Sequence, residues 1–186
     1  MPTDTEIIDA TRTWLEKAVI GLNLCPFAKA VHVKQQIRYV VSPATTPAAL
    51  LEDLLAELRT LQDADPEQTD TTLLIHPHVL GDFLDYNDFL DIADAAAAEP
   101  EFDDAFQIAS FHPRYQFADT APDDIENYTN RAPYPMLHLL REASVERAVA
   151  AFPEADAIFE KNMAMLRALG RAGWERLGLG KPEKSN

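Results

Sequence analysis

One cysteine in 186 residues, Cys25, excludes an internal disulfide, and with it the framework that staples small secreted domains. Glycine is scarce at six residues, too few for a collagen-like or repetitive chain. No apolar run approaches the ~20 residues that a bilayer-spanning helix needs. The N-terminal MPTDTEIIDATRTW has no basic patch followed by an apolar core, so no signal peptide is read there and a cytoplasmic location is expected. Positive charge is missing over a long span, with no Lys or Arg between Arg59 and Arg114. The net charge of −15 and pI near 4.6 oppose nucleic acid, whose phosphates need a basic surface, and anionic lipid. The P-loop, GxGxxG, GxSxG, HExxH and paired CxxC patterns are all absent, so no short motif names a chemistry.

What is present is an ordinary globular composition, 47% hydrophobic, at a length suited to one domain with a real core. Thr3 and Glu6 have capping-box spacing, and Ile7, Ile8, Thr11, Trp14, Leu15, Ala18, Val19 and Leu22 form one helical face that ends near Cys25-Pro26. Residues 36–42 (QIRYVVS) predict a strand. Thr46 and Pro47 open a second helix with Leu50, Leu51, Leu54, Leu55 and Leu58 inward. Residues 71–76 and 106–111 predict two further strands, separated by a helix over 82–98. A helix is expected from Pro135 through Met136, Leu139 and Leu140, a short piece from Ser144, and a last helix opening at Pro153. The expected fold is therefore a single compact α/β domain over 1–180, with a polar tail at 181–186. Its mainly parallel sheet of three to four strands is flanked by helices in the order α-β-α-β-α-β-loop-α-α.

Both later strands end in His-Pro, at His76-Pro77 and His112-Pro113. Open parallel sheets bind ligands at the carboxyl ends of their strands, so both histidines are expected on that edge. The residues after His112 form a long polar loop, 112–135, rich in Pro, Asn, Asp and aromatics. A loop of that length in a compact domain is usually functional or disordered, and its aromatics oppose disorder. His112 and His76, with Asp119, are the candidate catalytic group. His76 and His112, with His78 nearby, could also hold a divalent transition metal beside a loop carboxylate; the alternative is that His-Pro ends each strand and the rings bond to backbone. Arg114, Arg131 and Arg141 suit carboxylate or phosphate capture, and with Tyr115 and Asn130 they make the candidate substrate-binding set for a small, anionic molecule. Internal pairing of the arginines is the competing role. Asp123 and Asp124 fit a turn start, Cys25 an apolar site at a helix end, and His138 a core edge. Asp82, Asp85, Asp88, Asp91 and Asp94, every third residue, walk around a helix and fit a solvated acidic face.

The segments NLCPFA (23–28), IASFHPRYQFAD (108–119) and ENYTNRAPYPMLHLLREASVERA (126–148) resemble the bacterial family known as domain of unknown function 1415, over essentially the whole chain. The resemblance implies one self-contained domain and brings no activity or cofactor with it. From the residues, the first expectation is an enzyme for a small anionic metabolite, hydrolytic or group-transferring. In it His112→Ala abolishes activity and leaves stability nearly intact. The alternatives are a non-enzymic metabolite- or protein-binding module, and an acidic partner-binding protein using the span 60–113.

Overall fold

The computed structural model describes residues 1–152, 154 and 157–179. Helix α1 (Asp4–Trp14) begins at the capping box foreseen from Thr3 and Glu6, and runs into a π-helical stretch, Leu15–Ile20. A short α2 (Ala28–Val33) precedes β1 (Ile37–Val41). Thr46 caps α3 (Pro47–Asp63), its side chain accepting from Ala49 N–H, and β2 (Thr71–Ile75) follows. Asp82 caps α4 (Phe83–Ala97), which leads to β3 (Phe106–Phe111). The loop then carries a six-residue 3₁₀ turn, Ile125–Asn130, before β4 (Met136–Arg141). Helices α5 (Glu142–Ala151) and α6 (Ile158–Glu175) close the chain, α6 being kinked at Gly170, whose φ of 63° leaves the helical region. The expected helix start at Pro153 and the tail beyond Gly180 lie outside the described residues.

The four strands lie in the order β1-β2-β4-β3. β1 and β2 are parallel, whereas β4 runs antiparallel to both β2 and β3, with Met136 facing Ile75 on one side and Phe111 on the other. This corrects the expectation of a mainly parallel sheet, and the helix expected after Pro135 is a strand. The reason is the loop. It leaves β3 at the carboxyl edge and has no helix long enough to carry the chain to the far edge, so the next strand starts where the loop ends and runs back. MLHLLR misled because β4, buried between two neighbours, shows a nearly unbroken apolar run that period alone cannot assign.

β1, β2 and β3 nevertheless point the same way, and their carboxyl ends share one rim. On one face, α3 and α4 cover Leu74, Leu137 and Leu139 with Leu50, Leu54, Leu58, Leu61, Tyr86 and Phe89. On the other, α1 and the π-helical stretch after it pack Ile7, Trp14 and Ala18 against Leu73, Ile75 and Met136. Burying a leucine of the first set contributes about 1.5–3 kcal/mol. Among the described residues no helix is long and apolar enough to cross a membrane.

Candidate functional site at the carboxyl rim

His76 follows β2, His112 follows β3, and strand alternation turns both toward the α3–α4 face. Tyr86 of α4 reaches between them, its ring centroid 5.7 Å from that of His76 and 5.0 Å from that of His112. The Tyr86 hydroxyl donates to Met136 O at 2.8 Å and accepts from Phe111 N–H at 3.0 Å, which ties β3 to β4 at this edge. Both imidazoles are fully buried, at 0% and 1% exposure. Burial pushes each down to about 4; His112 nearby adds to the effect on His76, and Arg114 adds to that on His112. Both rings are therefore neutral near pH 7.

Their hydrogen bonds converge on one loop. His76 Nδ1 lies 3.1 Å from Val79 O, so the ring hydrogen sits on Nδ1 and Nε2 keeps a buried lone pair without a partner. His112 donates from Nε2 to Leu80 O at 3.2 Å, and its Nδ1 accepts from Arg114 N–H at 3.0 Å. The Arg114 guanidinium donates to Gly81 O at 2.6 Å and lies 3.4 Å from Asp82. Three consecutive carbonyls, of Val79, Leu80 and Gly81, are thus held by three residues singled out in the sequence. Leu80 sits in the left-handed region at φ 56°, a conformation that costs a branched residue of order 1–3 kcal/mol unless its surroundings enforce it.

The outer side of this clamped loop lines an open cleft of about 610 Å³. Pro77, His78, Val79, Leu80 and Gly81 form one wall, Thr45 and Pro47 at the start of α3 another, and Asp85, Asp88, Phe89 and Ile92 of α4 a third. The α3 wall is anchored by Ser42: its backbone N–H donates to Ile75 O at 2.7 Å, and its hydroxyl donates to Asp53 at 2.5 Å and accepts from Ala44 N–H at 3.1 Å. His78, Asp85 and Asp88 are exposed to the cleft. Their place above β1 and β2 is the edge where open α/β sheets receive ligands.

The remaining sequence candidates have other duties. Arg131 donates to Tyr115 O and Pro122 O and stacks 4.5 Å from the Tyr128 ring centroid. Arg141 donates to Leu61 O, Ala64 O and Thr69 O, closing the carboxyl end of α3. Asn130 donates to Ser110 O. The Tyr115 ring packs on Phe83 and Phe117. Asp119 is exposed in a left-handed turn at φ 63°, and among the described residues no hydrogen bond joins it to His112. His138 donates from Nε2 to Thr71 Oγ1 at 2.7 Å, since the Thr71 hydroxyl hydrogen goes to Leu139 O; burial pushes this ring too down to about 4. Cys25 is a half-buried free thiol whose pKa burial raises. As for metal, His112 has no ring nitrogen left to offer and His76 has only Nε2. Among the described residues no group of three or more His, Cys, Asp or Glu side chains is arranged to hold an ion.

Thr45, Asp85, Asp88 and Phe89 were not foreseen as lining a site. The only signal was the threefold spacing of the aspartates, and a solvated helix explains that equally well.

A mixed open sheet with a cleft at its carboxyl rim, walled by two helices and a clamped loop, defines a small α/β domain built around that edge. The chain belongs to the family described as protein of unknown function (DUF1415), whose model matches residues 6–176. No curated protein and no solved structure matches it.

Proposed function

We propose that the protein is an enzyme for a small molecule that occupies the rim cleft, with His78 as its acid–base group and Asp85 and Asp88 as polar partners. The observation that carries this reading is the division of labour among the histidines. His76 and His112 are sealed and bonded to backbone, while His78, on the loop they hold, opens into a cleft of about 610 Å³, a volume typical of small-molecule sites. An imidazole open to the cleft can exchange protons with a bound molecule. Hydrolysis or a related group transfer is the reaction type to test first. Arg114, Arg131 and Arg141 serve as positioning residues in this reading, because backbone carbonyls hold their guanidiniums.

The test is a thermal-shift screen of a metabolite library, followed by turnover assays on the hits. His78→Ala is expected to abolish turnover with the thermal midpoint nearly unchanged, and Thr45→Trp, which fills the cleft from an exposed position, to abolish binding. Hits whose binding and turnover survive both substitutions would remove the cleft from the account. A second reading, a binding module without catalysis, is favoured by one observation: among the described residues no hydrogen bond orients His78. Stoichiometric binding with no chemical change in the ligand would select it.

A further inference from the structure

We propose that the cleft selects an organic cation, a small amine carrying an apolar body; this rests on the cleft being the ligand site. The lining offers two carboxylates, Asp85 and Asp88, one turn apart on α4, and no Lys or Arg. Neither carboxylate enters a salt bridge among the described residues. The cation at the rim, Arg114, donates to Gly81 O and lies 3.4 Å from Asp82, and it forms no salt bridge with Asp85 or Asp88. The chain from Thr60 to Pro113 contains no basic residue, and nothing within that span offsets the negative potential of the α4 wall.

The rest of the lining fits the other half of such a ligand. Phe89, Ile92, Leu80 and Pro47 line the cleft beside the carboxylates and give it an apolar side. A carboxylate or phosphate ligand would face two unneutralised negative charges and find no guanidinium or ammonium in the lining. An ammonium finds two acceptors, and its methylene or aromatic body finds the greasy side. The threefold spacing of aspartates along α4 then has a local use, because it sets Asp85 and Asp88 on the cleft.

The test compares three probes of one shape and different charge, benzylamine, benzyl alcohol and benzoate, by amide chemical-shift titration at pH 7. Benzylamine is expected to move the amides of Thr45, Thr46 and residues 78–92, the alcohol to bind more weakly and benzoate not at all. The double substitution Asp85→Asn with Asp88→Asn should weaken benzylamine about tenfold, the scale of two exposed charge contacts. Asp91→Asn, on the same helix outside the lining, should leave it unchanged. The alcohol or benzoate binding the cleft as tightly as the amine would overturn the charge preference and leave the cleft standing as a ligand site. Equal weakening by Asp91→Asn would reduce the effect to the general field of the protein and overturn the inference. Silence of the cleft amides toward all three probes would remove both the preference and the site.

Discussion

A neutral imidazole has one hydrogen to give and one lone pair to offer, and at His112 both are in use inside the fold. Its removal leaves Leu80 O and Arg114 N–H without partners around a new cavity. His112→Ala is therefore expected to lower stability by about 2–4 kcal/mol in urea titration, reversing the sequence-based expectation of a silent fold. A loss below about 1 kcal/mol would show that the ring does not hold the loop. His76, His112 and His138 also share a pH signature, because each has a folded pKa pushed from 6.5 down to about 4. Between those values the unfolded chain binds protons that the folded chain refuses. Their contribution is fully present above pH 6.5 and is lost as pH falls toward 4. The urea midpoint should thus hold level above pH 6.5 and fall below it, with up to about 4 kcal/mol lost per pH unit where unfolding takes up close to three protons. A level profile down to pH 4.5 would contradict the burial of these rings.

The loop after β3 is an element in its own right, ordered by its own polar groups. Asn127, fully buried, accepts from Phe117 N–H at 2.9 Å and donates to Ala121 O at 2.8 Å, while Trp14 of α1 donates to Arg131 O. Asp123 and Glu126 pair with Arg171 and Arg167 of α6. Asn127→Ala should cost about 2–3 kcal/mol and make residues 117–124 the first site of limited proteolysis; cleavage elsewhere first would deny Asn127 that role. The order of this loop was legible from its aromatics, and so was the position of both histidines, because His-Pro after an apolar run marks a strand end. The helix starts at Thr3 and Thr46 were legible too, since a cap is a local event. β4 was not. Its direction depends on where the loop delivers the chain, and its leucines suit a helix as well as a central strand. The role of the loop's arginines was equally hidden, because a guanidinium bonded to a carbonyl and one facing a ligand read alike in a sequence.

Across the whole molecule, the mixed sheet keeps the carboxyl ends of three strands on one rim, and the buried hydrogen bonds of His76, Tyr86 and His112 lie beneath the cleft. That arrangement predicts coupling between the clamp and the cleft. Arg114→Ala, which frees Gly81 O, should loosen ligand binding in the cleft severalfold with a stability loss of only about 1 kcal/mol, since the side chain is largely exposed. Hydrogen exchange of the amides at residues 78–82 checks it, with faster exchange expected in the variant and unchanged exchange elsewhere. The most direct measurement of the central claim is a crystal structure with a hit from the metabolite screen. The account predicts density between His78, Asp85 and Thr45, with His76 and His112 still bonded to Val79 and Leu80. Density on the opposite face of the sheet, beside His138 and Phe111, would contradict it.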